Sequence, residues 1–481
     1  MDRTVALNTF FQFASKGAAG ITSLLLVALL TRHLGGELYG LYVVILAWGG
    51  VLAVCCDFGL YNTGVRELSL AEGDFRRVAG ALLTASMLNT LLWTVLASAL
   101  LFLLPLSPLF RWGMGVFLCH LAFLAVVNPC RAVFHSRLRM GYIAAGDLAG
   151  SAVLLVLAVV CLRAGFGIVA VLAALTLGTA VNFLLLFIAV QRFAKVRWVL
   201  DRAVLRDFYL KAFPLGISGL LAVLYARNGV FVISWTNPPQ DTGAFGAAHQ
   251  VYDLISLVPV LFLGVMLPLF SRALQGHEAV EGGRHYGAAL RVLVFLAVPV
   301  ALGGVFLAGP LMELVTGRNF TVERVFELPF LGSVALEGTA ATFRVLALVL
   351  GLSFLGQLNG HLMVAGRRQS SLLRVYFLSL PVNVLLNLWL IPRYSFLGAA
   401  VSLFVSETVA LCYTTWFVWR AFKLRPLLTP FCQAALASVP MLAFLWLSGG
   451  SVIFLVGLGA LVYGAGLLFI VKVSQPLRMR T

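Results

Sequence analysis

An all-α polytopic membrane protein with about fourteen transmembrane helices is the fold this sequence predicts, and three observations predict it. Of its 481 residues, 61% are hydrophobic and only 11% are charged, too little charge to cover a soluble surface of that size. The apolar residues come in continuous runs of about 20, the length a helix needs to cross hydrocarbon. Alternating ten-residue segments, the mark of a membrane β-barrel, are not the pattern here. Positive charge, finally, alternates from one connection to the next, as it does when successive loops fall on opposite sides of a bilayer.

The runs, in order, are Thr9–Leu30, Leu41–Leu60, Val78–Leu104, Trp112–Pro129, Tyr142–Leu162, Gly167–Val190 and Ala212–Trp235. They continue with Ala247–Phe270, Ala288–Ala308, Ala340–Val364, Leu372–Ile391, Leu397–Trp419, Leu427–Ser448 and Val452–Val471. The first carries Lys16 in its middle and has no small-residue cleavage site after it, so it reads as a retained span and not a signal peptide. Even-to-odd connections, counted with the span edges, hold 21 Lys and Arg, and the two termini hold four more. Odd-to-even connections hold six: Arg32, Arg111, Arg163, Arg318, Arg324 and Arg393. Both termini are therefore expected in the cytoplasm. The net charge of +16 is thus a matter of topology and anionic lipid, not a nucleic-acid footprint. The seven cysteines show no CxxC and no Cys/His spacing suited to a metal; adjacent Cys55 and Cys56 read as packing residues.

The longest basic connection, "QRFAKVRWVLDRAVLRDFYLK" (Gln191–Lys211), follows the sixth span. It divides the chain into lobes at 1–200 and 201–421, leaving 422–481 for the last two spans and a tail. Six spans per lobe would give both the same orientation. Similar stretches recur in each: "GELYGLY" (Gly36–Tyr42) against "TGAFGAA" (Thr242–Ala248), and "GFGIVA" (Gly165–Ala170) against "SFLGAA" (Ser395–Ala400). Parallel repeats of this kind place a substrate path at the repeat interface in many transporters.

Four stretches, "LLTRHLGGELYGLY" (Leu29–Tyr42), "DFGL" (Asp57–Leu60), "LPLFSR" (Leu267–Arg272) and "PVNVLLNLWLIPRYSFLGAAVSLFVSE" (Pro381–Glu407), carry a family resemblance. The chain resembles the polysaccharide transporter, or oligosaccharide flippase, family of the multidrug/oligosaccharidyl-lipid/polysaccharide exporter superfamily. That resemblance implies a two-lobed, V-shaped bundle of pseudo-repeated six-helix lobes, with two further C-terminal helices. It implies movement of an undecaprenyl-diphosphate-linked oligosaccharide from the cytoplasmic to the outer leaflet, in a pathway with a polymerase and glycosyltransferases. The chain departs from the family at Arg227-Asn228-Gly229, near which members often carry an acidic residue, and in its long segment Gly309–Thr339.

Charges inside the spans are the candidate site. Arg227 lies eight residues from Trp235, about 12 Å along the helix axis, where an arginine costs at least roughly 2.5 kcal/mol. Its planar fork suits the diphosphate of a lipid carrier. Lys16, in the corresponding first helix of the other lobe, is its expected counterpart, with Asn228 and Gln250 as further substrate contacts. The alternative for Arg227 is an ion pair with Asp253 that only stiffens the bundle. Asp253, Glu407 and Asp147 are the embedded carboxylates expected to carry a coupling proton or sodium ion; no other cofactor or metal is expected. Arg344 lies close enough to its span end to snorkel. Asp57, next to Arg66, reads as solvated, and His120 and His249 as packing groups. Pro214, Pro259, Pro299 and Pro381 are hinge candidates.

A multidrug or cation exporter should line its path with carboxylates rather than Arg227 and Lys16. A polymerase or ligase acting on lipid-linked sugars should carry a sizeable outer domain with acid, base or His groups. Segment Gly309–Thr339 has Glu313, Glu323, Glu327 and Glu337 but no His. The sequence therefore reads as a transporter and not as an enzyme.

Overall fold

The computed structural model describes residues 3–71, 74–194, 198–275, 279–318, 320, 322–328, 332–424, 428–448 and 450–478. Residues 195–197 of the basic connection and 319, 321 and 329–331 of the long segment lie outside them. In order, the elements are α1 (Arg3–Asp57), α2 (Leu60–Leu70), α3 (Phe75–Leu103), α4 (Pro108–Ser136), α5 (Met140–Arg163), α6 (Ile168–Ala194) and α7 (Arg202–Thr236). There follow α8 (Pro239–Gln275), α9 (Ala279–Phe306), α10 (Ala308–Thr316), β1 (Glu323–Leu328), β2 (Gly332–Glu337), α11 (Gly338–Ala365), α12 (Gln369–Phe422), α13 (Thr429–Leu447) and α14 (Val452–Arg478). Twelve helices among the described residues are long and apolar enough to cross a membrane. The chain is a multi-pass helical membrane protein.

Two of the twelve are anomalous in length. α1 has 55 residues and α12 has 54, about 80 Å each against a hydrocarbon core of about 30 Å. Each is two helices joined across a kink, at Gly35 (φ 75°, ψ 179°) and at Ser395 (φ 44°, ψ −127°). The first and second apolar runs therefore share α1, and the eleventh and twelfth share α12. Gly35 tolerates its positive φ because it has no Cβ. Ser395 does not, and is held instead by its hydroxyl donating to the buried Asp241 carboxylate. The expected proline hinges behave differently. Pro214, Pro259, Pro299 and Pro381 sit inside α7, α8, α9 and α12, and the non-helical backbone falls elsewhere. A proline removes one hydrogen bond, which neighbours in a bundle can re-satisfy; a positive φ ends the helical path itself.

Packing divides the chain into two units, Met1–Phe231 and Val232–Thr481. That division lies near the end of α7, beyond the basic connection that marks the lobes in the sequence. In the first unit, α5 and α4 both lie against α6, and α1 lies against α5. Most of α7 belongs here because the "DFGL" stretch lets it come close. Gly59 has φ 80°, and a Cβ on it would meet the Ala212 carbonyl oxygen at 2.7 Å and the Gly216 nitrogen at 2.8 Å. Beside that contact Phe58 meets Phe213 edge-on at 5.9 Å, and farther along α7 Trp48 lies 4.6 Å from Phe231. The Tyr209 hydroxyl donates to the Ala85 carbonyl at 3.0 Å, and Lys211 pairs with Glu67 at 2.9 Å. The Arg77 guanidinium, donating to Asp201 at 2.6 Å, ties α3 to the residue before α7 and holds that exposed carboxyl below its usual range.

In the second unit, α11 lies against α8, α9 and α12, and α13 pairs with α14 and α9. The two halves of α12 are joined by a buried polar ladder: Asn387 donates to Asn383 at 3.1 Å, and Asn383 to Ser406 at 3.0 Å. Gly398 completes the turn, since a Cβ there would lie 2.6 Å from the Leu390 carbonyl oxygen. The long segment folds as α10 and an antiparallel hairpin, with Phe326 opposite Val334. Phe326 is buried against Phe396 and Tyr394, with ring centroids 5.4 and 6.5 Å away. Arg324 reaches Asp241 at 2.9 Å. Asp241, in the first turn of α8, thus holds the hairpin and the α12 kink together.

Gly59→Ala should destabilise the detergent-purified protein by about 2 kcal/mol or more, from left-handed strain and overpacking together. Gly115→Ala, in open space within α4, should be neutral or slightly stabilising. Thermal unfolding of the two variants tests this, and equal responses would remove the close-approach account of α7.

Candidate functional site

The first unit gathers its polar side chains on one carboxylate. α5 and α6 meet through Gly150 and Gly178, each so close that a Cβ would strike the other's carbonyl oxygen, at 2.7 and 2.5 Å. One turn along, Gly146 leaves room for Asn182, whose amide oxygen would sit 2.5 Å from a Cβ there. This approach brings Asp147 of α5 within 3.0 Å of the Asn182 side-chain nitrogen. Ser15 of α1 donates to the same carboxylate at 2.7 Å, and the Arg131 guanidinium of α4 completes the set. Four helices thus converge on Asp147, and its side chain and that of Arg131 are only 19% and 27% exposed. An ion pair inside a span must be well hydrogen-bonded to offset its desolvation; the carboxylate is met by three donors, whereas Arg131 Nε is buried without a partner among the described residues.

Beside it, the Tyr61 hydroxyl and His135 Nδ1 are 3.0 Å apart. Arg131, Asp147 and Asp57 lie within electrostatic reach of Tyr61, and Lys16 within reach of His135. Two readings from the sequence change here. Arg131 counts among the loop cations there, because the fourth apolar run stops at Pro129; α4 in fact runs through that proline to Ser136. The signal that would have found it is the i,i+4 spacing of Arg131 and His135 on one helix face. Asp57, read as solvated, is half-buried, and its carboxylate accepts from the Tyr61 backbone N–H at 3.3 Å. Asp147, one of the expected coupling carboxylates, enters this cluster through its pair with Arg131.

The α7 residues form a second group. Arg227 is half-buried and lies within electrostatic reach of Tyr39, which stacks on Tyr42 at 6.1 Å. The "ELYGLY" aromatics of α1 are therefore part of its surroundings. Asn228 is buried, and its side chain donates back to the Leu224 and Tyr225 carbonyls at 3.2 and 2.9 Å. Lys16 is exposed and groups with the Asp147 set. His120 lies 3.0 Å from the Thr179 hydroxyl, and Arg344 is exposed.

In the second unit, Asp253 of α8 lies 3.3 Å from His249 Nδ1, one turn back. The buried His249 ring sits between Phe245 and Tyr252, at 5.5 and 5.2 Å. Asp253 and Glu407, from α8 and α12, both lie within electrostatic reach of Tyr252, and Glu407 of Tyr376 as well. Gly356 of α11 faces Glu407, leaving 4.0 Å between a Cβ and its carboxylate oxygen. Gln250 is half-buried beside His249. Two carboxylates, two tyrosines and a histidine in apolar surroundings are groups that can take up and release a proton.

The geometry around Asp147 makes a stability prediction. Arg131→Met, which leaves the carboxylate without its counter-charge, should cost about 3 kcal/mol, and Arg131→Met with Asp147→Leu should recover most of it. Thermal unfolding of the single and double variants checks this; a double variant no more stable than the single would show that the two do not act as a pair.

Comparison with known proteins fits this architecture. Residues 5–274, more than half the chain, match the polysaccharide biosynthesis protein family. The probable lipid II flippase MurJ of Rhizobium meliloti (strain 1021) is 26% identical over 208 residues, 42% of this chain. The match spans 36% of that relative's length. Among solved structures, the lipid II flippase MurJ in an inward closed conformation has a TM-score of 0.78 at 14% identity, covering 98% of this chain and 99% of its own. An inward-facing multidrug resistance MATE family transporter of the MOP superfamily has 0.64 at 14%, covering 86% and 95%. A MOP superfamily transporter from Pyrococcus furiosus Vc1 (DSM3638) has 0.61 at 15%, covering 88% and 96%. The structural likenesses, at such identities, are likenesses of fold. These relatives are flippases and transporters, not enzymes. The chain belongs to the polysaccharide biosynthesis protein family and has the helical fold of the MOP superfamily.

Proposed function

We propose that this protein is a flippase that carries an undecaprenyl-diphosphate-linked oligosaccharide from the cytoplasmic to the outer leaflet of a bacterial inner membrane. It serves polysaccharide synthesis, whether of O-antigen, capsule or exopolysaccharide, alongside a polymerase and glycosyltransferases. The observation that carries the reading is a cation within each of two long apolar helices, Arg227 of α7 and Lys16 of α1, in a member of a polysaccharide biosynthesis family. A diphosphate cannot cross hydrocarbon bare. Fixed guanidinium and ammonium groups replace its water while the polyprenyl tail stays in lipid. The name of the curated relative, a probable lipid II flippase, supports a lipid-linked cargo.

In this reading α1 and α12 each cross twice, giving fourteen crossings with both termini in the cytoplasm. Alternating access moves the site between leaflets, and Asn228 and Gln250 stand beside the path. Asp253 and Glu407 take up the coupling proton or sodium ion. Asp147 acts with them: protonating it releases Arg131 from its partner, so that one proton changes the charge offered to an anion.

Cells lacking the protein should accumulate one undecaprenyl-diphosphate oligosaccharide on the cytoplasmic leaflet. Arg227→Ala, made at normal level, should flip it at least about tenfold more slowly, and Arg227→Lys should fall between. Leaflet-resolved extraction of sugar lipids checks this. Unimpaired flipping by Arg227→Ala would end the assignment of that residue. Accumulation on the outer leaflet would favour a polymerase or ligase, and normal sugar lipids on both leaflets a multidrug exporter.

A further inference from the structure

One cavity has no part in the proposed function. The ends of α3, α4 and α6 enclose a cavity of about 340 Å³ lined by Phe75, Val133, Phe134, Arg137, Arg139 and Phe193. Among the described residues, its lining contains two guanidinium groups and no carboxylate. Among the described residues, no ion pair joins Arg137 or Arg139 to an acid. Both arginines are instead organised by aromatic faces. The Arg137 guanidinium carbon lies 4.2 Å from the Phe75 ring centroid, and that of Arg139 lies 4.2 Å from the Phe193 centroid.

The rings are themselves fixed. Phe134 stacks on Tyr142 at 4.8 Å, and Phe193 meets Phe134 and Tyr142 edge-on at 6.0 and 5.4 Å. A guanidinium stacked on a ring keeps its N–H groups in the plane, directed outward, where a phosphate oxygen can accept them. The turn between the arginines is strained as well: Leu138 has φ 53°, a conformation a leucine adopts only when its surroundings impose it.

Two features say what kind of anion fits. The surroundings are apolar and exposed: Leu138 is 55% and Phe193 45% exposed, beside a connection that carries Trp198 at 60%. A tryptophan at a span end, such as Trp198, is characteristic of the headgroup layer of a bilayer. The connection after α4 is also one of the strongly basic ones, the side where anionic lipid is attracted. A volume near the lower end of ligand cavities suits one headgroup and not an oligosaccharide.

We propose that Arg137 and Arg139 form a binding site for the phosphate of an anionic phospholipid headgroup, lying in the cytoplasmic headgroup layer and separate from the transport path. The acyl chains rest on the lipid-facing surface of the span ends, and the two forks hold the phosphodiester. A zwitterionic headgroup is disfavoured because its cation would face two guanidinium groups.

Native mass spectrometry of the purified full-length protein, titrated with phosphatidylglycerol or with phosphatidylcholine of the same chains, tests the site. The wild type should retain phosphatidylglycerol about tenfold more tightly, and R137A/R139A should lose that preference. R137K/R139K, which keeps the charge but not the fork, should fall between. R367A/R368A, altered at another basic connection, should behave as wild type. The wild-type comparison decides even without a folded alanine variant, since equal retention of the two lipids would overturn the proposal. Unchanged preference in R137A/R139A would overturn it too. So would displacement of the lipid by inorganic phosphate where chloride of equal ionic strength does not displace it, because the ligand would then be a soluble phosphate.

Discussion

The Asp147–Arg131 pair is the interaction on which the first unit depends. A bilayer supplies no hydrophobic drive between helices, so association rests on close packing and on polar groups that must find one another. Asp147 uses both. The glycine contact of α5 with α6 brings the backbones together, and the carboxylate then collects donors from α1, α4 and α6. Removing the glycines would separate the donors, and removing the charge would leave the glycine contact without a reason for its register. The pair therefore sets geometry as much as energy, and Tyr61 lies within its electrostatic reach.

The second unit solves a related problem with Asp241, which is almost wholly buried. Here the carboxylate joins elements distant in sequence: a helix start, a hairpin strand and a backbone reversal. An unpaired carboxylate there would be costly, so Arg324 is drawn inward and the hairpin with it. The positive φ of Ser395 persists because the same carboxylate holds its hydroxyl. One buried charge thus fixes the turn that folds α12 back and closes the long segment over it.

The spans were legible because the bilayer permits few solutions: an apolar run of sufficient length must be helical. Less expected is what the family-like stretches mark. Gly35, Gly59, Ser395 and Gly398 all sit where a helix is interrupted or where backbones nearly touch, and Asn383, which accepts from Asn387, ties the first half of α12 to Ser406 in the second. Those letters report backbone geometry, not cargo. Arg131 was hidden because a span boundary drawn at Pro129 turned an embedded charge into a loop charge. The hairpin was hidden because its strands have only six residues each, and their partner across the turn cannot be read from periodicity alone. Contacts such as Arg324 with Asp241, 83 residues apart, leave no local trace.

The partners of the cations give the net charge of +16 a structure. Arg131, Arg324, Arg77 and Lys211 are each matched to a carboxylate and so fasten helices or connections. Arg137 and Arg139 are matched to rings, which orient a guanidinium without neutralising it. Neutralisation and orientation have opposite consequences for a passing phosphate: the first removes the attraction, the second sharpens it. A protein that handles anionic lipids needs both, because a uniformly attractive surface would hold the headgroup wherever it landed. Cations paired where they fasten helices, and stacked on rings where they stay charged, give phosphate preferred places on the protein.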